Sequence, residues 1–252
     1  MSTSLIDLLM KPVKPWPMPE FAPPPRELAP GLWRIERKLR MPGALVLPVG
    51  MTVTRLPSGA LFLHAPILLD DDVARALGAL GPVAAVLAPN SFHYSFVAAY
   101  RSRFPSAELF AAPGLAERVP ELPPATVVGA SAPPEWEGEL EPLLYGPIGS
   151  FSEVAVYHRP TGTLVLTDLA FHMTRFENAL DRLGWKLLGV PPDFGPSRTA
   201  RLTLLRDRAA ARPFLQAMLE RDVRRILVAH GDPVEANAAA EFRRAFRAYL
   251  EP

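Results

Sequence analysis

The chain has 252 residues, 49% of them hydrophobic, with 27 basic against 26 acidic side chains and no cysteine. That is enough apolar material for a full core, in one large domain or two small ones. It excludes disulfides and thiolate ligands, so any metal must sit on His, Asp or Glu; the balanced, scattered charge argues against a nucleic-acid partner.

No stretch approaches the ~20 apolar residues of a spanning helix. The opening MSTSLIDLLMKPVKPW lacks the charged start, long apolar centre and small-residue cleavage site of a signal peptide. A soluble, cytoplasmic protein is expected. Residues 2 to 10 have the pattern of a short amphipathic helix, with Leu5, Leu8 and Leu9 on one side. Lys11 to Pro30 is dense in proline and reads as an extended arm, laid on the body by Trp16 and Phe21. Residues 1–30 are thus an arm ahead of one domain over 31–252, and a second copy of the chain is a partner such an arm allows.

Gly31 to Lys38 alternates like a strand, Ala44 to Leu56 gives one or two more, and Ser58-Gly59 turns into Ala60 to Ile67. Asp70 to Leu80 starts acidic and carries apolar residues at helical spacing. Val83 to Leu87 is a short buried strand, Phe96 to Phe104 a helix, and Ala107 to Ala112 a strand, with another at Ala125 to Val128. Ser131 to Glu141 reads as an acidic surface loop. Glu153 to His158 and Thr163 to Asp168 flank a turn at Arg159 to Gly162 and make a hairpin. An irregular insert with Phe176, Leu180, Leu183 and Trp185 follows, then a helix over Arg198 to Glu220, a strand over Arg225 to His230, and a final helix over Pro233 to Leu250. The order suits an α/β protein of the layered α+β kind, a sheet core covered by helices.

Polar residues cluster where these strands end. The apolar run Leu164, Val165, Leu166 stops in Thr167 and Asp168, with His172 beyond; ILVAHG ends in His230-Gly231. His64 closes a third strand, and Asn90 and His93 follow a fourth. An aspartate at a buried strand end must meet a metal, a cation or several donors, and strand ends gathered on one rim are where layered α/β folds build sites.

Four segments resemble the metallo-β-lactamase family, metal-dependent hydrolases built as an αββα sandwich of two mixed sheets flanked by helices. They are GALFLHAPI, VLAPNSFHYSFVAAYRSRFPSAELFAAPG, SEVAVYHRPTGTLVLTDLAFH and ILVAHG. More narrowly, the Pro-Asn-x-x-His loop and the His-Ala-Pro strand end are similar to a branch of that superfamily described only as a domain of unknown function. On the resemblance, Asp168 matches the metal-bridging aspartate and His230 the last histidine ligand. Asn90 stands at the first histidine. Phe92 stands at the second if no gap is allowed; with one residue deleted, His93 takes the loop aspartate's place and Tyr94 that of the next histidine. Gly149 or a neighbour holds the fourth histidine's place, and His64 that of a structural acid.

The resemblance therefore implies an incomplete ligand set. It allows a rearranged mononuclear site in which His64, His93, Asp168 and His230 hold one divalent ion (Zn, Fe or Mn). Asp168 and His230 would then serve catalysis, and Asn90, Tyr94 and His172 would face a small-molecule ester, lactone or amide to be hydrolysed. Bland readings stand beside it. His64 and His93 satisfy each other or the backbone, His172 is an exposed turn residue, and the hydroxyls of Tyr94 and Ser95 are weak candidates for substrate contact. The alternative function is a non-catalytic binding or scaffolding domain with a decayed metal centre and no metal, Asp168 and His230 surviving as an ion pair.

Overall fold

A computed structural model describes residues 24–41, 45–136, 138–148 and 151–251. The expected N-terminal helix, most of the proline-rich arm and Gly149 lie outside the described residues. The arm's last part, Arg26–Ala29, is strand β1, an edge strand antiparallel to β2 (Leu32–Arg40).

β2 pairs antiparallel with β3 (Val46–Arg55), from Leu32 opposite Thr54 to Arg40 opposite Val46. β3 pairs antiparallel with β4 (Leu61–His64). From β4 the sheet runs parallel through β5 (Val83–Ala88), β6 (Glu108–Ala111) and the short β7 (Thr126–Val127). The first sheet is thus seven strands in sequence order. Its crossovers are α1 (Asp71–Leu80), capped by the Asp70 carboxylate, and α2 (Val97–Arg103), with α3 (Leu115–Arg118) after β6.

The second sheet has the order β11-β10-β9-β8. β8 (Leu140–Ile148), β9 (Phe151–His158) and β10 (Thr163–Leu166) are antiparallel neighbours, and β11 (Arg225–Val228) lies parallel to β10. Helices α4 (Ala179–Leu187), α5 (Arg198–Leu202), α6 (Arg208–Leu219) and α7 (Ala238–Leu250) complete the chain.

The alternation within each strand builds the layers. In β9 Val154 and Val156 face the other sheet while Ala155 and Tyr157 face helices; in β10 Val165 faces the sheet while Leu164 and Leu166 face helices. The inter-sheet layer joins Phe62, Leu87 and Phe110 to Val154, Val165 and Leu227, with Trp136 wedged edge-on against Phe62 and Phe110 at 4.7 Å each. α1 and α2 cover the outer face of the first sheet, and α5, α6 and α7 that of the second. Strands buried on both faces must be apolar throughout, which is why they read as short continuous runs. The result is an αββα sandwich.

Four stretches differ from expectation. The loop over Ser131 to Glu141 contains a one-turn 3₁₀ helix whose Trp136 is fully buried, and it ends in β8. Pro142 and Pro147 hide β8 from sequence reading; proline is tolerated because β8 is an edge strand. The insert after Asp168 holds α4, whose N-cap Asn178 accepts from the N–H groups of Leu180 and Asp181. The helix expected over Arg198 to Glu220 is two, because Ser197 and Asp207 each cap a separate start. α7 starts later than Pro233, since Val234 is drawn into paired backbone hydrogen bonds with Ile226.

Candidate metal centre

β5, β10 and β11 deliver Asn90, His93, Asp168 and His230 to one rim of the sandwich, and backbone bonds knit that rim together. Val154 N–H donates to the Pro89 carbonyl at 2.8 Å, and Gly50 N–H to the Ala229 carbonyl at 2.8 Å.

His93, Asp168 and His230 converge, with one donor atom from each within 4.8 Å of the others. The two imidazole Nε2 atoms are 3.2 Å apart. Asp168 Oδ2 lies 3.4 Å from His93 Nε2, and its Oδ1 lies 3.4 Å from His230 Nε2. Donors about 2.05 Å from a tetrahedral ion sit about 3.3 Å from each other; each imidazole meets its own Asp168 oxygen near that spacing, and single donor atoms from the three residues lie within 4.8 Å, close enough to converge on one ion.

His230 Nδ1 is 2.9 Å from the Pro48 carbonyl, which can only accept, so Nδ1 carries a proton and Nε2 is the nitrogen turned towards Asp168 and His93. Phe171 stacks on that ring, centroids 5.0 Å apart, and fixes its plane. Burial works to raise the Asp168 carboxyl, but charge at His93 and ring N–H donation from His230 and His93 outweigh it and hold the group well below the usual carboxylate range; a bound cation would take the place of those protons. The donor set, one ionised carboxylate and two imidazoles, has the chemistry that a divalent cation of the zinc kind takes, and these three residues would hold it.

Behind the triangle lies a network built on Asn90, expected to face the substrate, and on Glu153, a residue without an expected role. Asn90 is fully buried. Its amide donates to Asp168 Oδ2 at 2.7 Å and Thr167 Oγ1 at 2.9 Å, and its Oδ1 accepts from the N–H groups of Phe92 and His93 at 2.9 and 3.0 Å. With both ends engaged, Asn90 orients Asp168 and His93 rather than facing a ligand. Glu153, also fully buried, accepts from Thr167 N–H at 2.8 Å and Asp168 N–H at 3.0 Å. Burial and then the Asp168 charge push its carboxyl up to about 7. One signal was available: a lone acid inside the otherwise buried FSEVAVYH.

Arg34 is the second unassigned residue. Its guanidinium, 2% exposed, donates to the Val228 carbonyl at 2.6 Å and the Gly231 carbonyl at 2.7 Å. These bracket His230 on both sides.

The other expected site residues lie elsewhere. His64 is buried in the wall and donates from Nε2 to the Val154 carbonyl at 3.1 Å; it is not in the cluster. His172 points its Nδ1 at the Asp232 carbonyl, 2.9 Å away, while its main chain braces His230 by accepting from Asp232 N–H and donating to the His230 carbonyl. Tyr94 packs with Val97, Tyr100 and Val119 in the outer core of the first sheet.

Residues 30–183 match a family described as Domain of unknown function (DUF4336). No curated protein matches the sequence. Among solved structures, the metallo-β-lactamase FIM-1 from Pseudomonas aeruginosa in its mono-zinc form aligns at TM-score 0.61 and 14% identity, over 91% of this chain and 97% of that one. The metallo-β-lactamase from Hirschia baltica aligns at 0.60 and 17%, over 91% and 99%. That from Erythrobacter litoralis aligns at 0.57 and 18%, over 90% of each. Likeness at this identity establishes the fold, that of the metallo-β-lactamases.

Proposed function

The chain belongs to the DUF4336 family, and from that premise and the geometry of its rim we propose that it is a divergent metal-dependent hydrolase of an ester, lactone or amide. The observation that carries the reading is the convergence of His93, Asp168 and His230, one donor atom from each lying within 4.8 Å of the others. The reaction adds water to a carbonyl carbon, breaks its bond to oxygen or nitrogen, and releases an acid with an alcohol or amine. A divalent ion held there supplies a lowered pKa for a bound water. The protein's part is to hold Asp168 ionised, to keep His230 Nε2 aimed inward through Pro48, and to fix both by Asn90 and Arg34.

A second reading, a binding or scaffolding domain without metal, is favoured by the Asn90 amide on Asp168 Oδ2, a donor where a ligand would stand. Metal analysis of untagged protein incubated with zinc, manganese or iron separates the two. The hydrolase reading expects close to one equivalent, lost in Asp168→Asn. Less than about a tenth of an equivalent in the wild type overturns it and leaves the second.

A further inference from the structure

Two cavities open near the rim, and their walls differ in kind. The larger, about 350 Å³, is walled by charges of both signs, among them Glu36, Lys38, Arg175 and Asp232, and includes none of the three clustered donors. The smaller, about 280 Å³, has Asp168 in its wall and no other ionisable lining residue. Phe92, Phe171, Trp185, Leu188 and Leu204 supply its apolar surface. Three of the four other polar lining side chains are engaged, and the fourth, Thr199, is exposed. Trp185 Nε1 donates to the Val46 carbonyl, Ser197 Oγ accepts from Ala200 N–H, and Thr203 Oγ1 donates to the Thr199 carbonyl. A group entering this space meets mostly hydrocarbon and aromatic rings, with the Asp168 carboxylate and the exposed Thr199 hydroxyl as its polar places.

The geometry points to an acyl-chain site: the substrate carries an uncharged apolar chain that fills this cavity, with its carbonyl end at Asp168. This rests on the hydrolase reading for the carbonyl end, but the chain pocket is measurable without it. At ~30 Å³ per water-sized group, the cavity takes about nine such groups, so a chain of roughly eight to ten heavy atoms fills it. Its mouth includes Leu188, 52% exposed, and the same helix end carries Leu187 at 68% and Leu183 at 50%. Apolar surface therefore continues outward where a longer chain would emerge.

The test titrates the full chain, with and without zinc, with straight alcohols from 1-butanol to 1-dodecanol by calorimetry. Affinity should tighten roughly fourfold per methylene up to about ten carbons and then level off, whether or not zinc is bound. Thr199→Trp, on an exposed lining position, should weaken 1-octanol at least about tenfold while leaving the unfolding midpoint and zinc content unchanged. Leu188→Asp, at the mouth, should do the same. Affinity independent of chain length, or unaltered in both variants, overturns the proposal. A chain-length series without zinc uptake keeps the pocket and removes the hydrolase; zinc uptake without the series does the reverse.

Discussion

At position 90 a neutral amide does what no charged residue could do beside Asp168: it donates to the carboxylate and, through its other end, accepts from two backbone N–H groups of the loop that carries His93. Neither end can find water, since the residue is fully buried. Removing it leaves Asp168 and Thr167 short of a donor and two N–H groups short of an acceptor. Asn90→Ala is expected to lose about 2–3 kcal/mol in urea unfolding and to weaken zinc uptake, because His93 is no longer held at its spacing from His230. Asn90→Asp replaces the donor with a second charge at 2.7 Å from Asp168 Oδ2 and is expected to be worse in both respects. An alanine variant with wild-type stability and zinc content would show that the amide is dispensable.

At the scale of elements, β2, β3 and β11 form a clamp around His230. Arg34 on β2 passes Gly50 on β3 to reach the carbonyls beyond, and a Cβ at Gly50 would lie 2.3 Å from the guanidinium carbon. Gly50→Ala must expel the arginine or separate the strands, so a loss of about 3 kcal/mol is expected. Gly78→Ala is the control: this glycine lies within α1 with nothing within 4 Å of an added Cβ, and a gain of about 0.5–1 kcal/mol is expected. Equal effects at the two glycines would dissolve the clamp. The same elements show what a sequence can reveal. Apolar runs such as Leu164 to Leu166 are legible because both faces are buried, and Asp168 and His230 are legible because they end such runs. The closeness of His93 to His230 is not, since it depends on a loop register that several alignments satisfy equally. Arg34 and Glu153 sit in strands where charge ordinarily means a solvent face, and only tertiary pairing makes them interior. His64 closes a core strand as a ligand would, yet the inter-sheet packing turns its ring to a carbonyl.

The sandwich as a whole must keep His64 and His158 neutral. His64 links the sheets through Val154, and His158 on β9, 2% exposed, bonds Thr161 Oγ1 at 2.7 Å. Burial drives each down to about 4. In the unfolded chain they protonate near 6.5, so between about 6.5 and 4 the unfolded state takes up protons that the folded state refuses. The contribution of each is complete above 6.5 and falls as pH drops through that window, by about 3 kcal/mol for a shift of this size. Glu153 runs the other way: its raised carboxyl makes the folded state the better proton binder between about 4.5 and 7, so its effect on stability improves on acidification. The carboxylates of Asp70, Glu141 and Asp232 are held low, and lose their contribution only at more acid pH. Net pH dependence therefore mixes opposing slopes, and a single-residue difference isolates one. His158 lies away from the cluster of His93, Asp168 and His230, so His158→Gln leaves that cluster's own titration in place. The stability advantage of wild type over this variant should shrink by about 2–3 kcal/mol between pH 7 and pH 4 in urea unfolding. A difference that stays constant across that range would mean that the β9 imidazole is charged in the folded protein, and that burial in this layer does not exclude a cation.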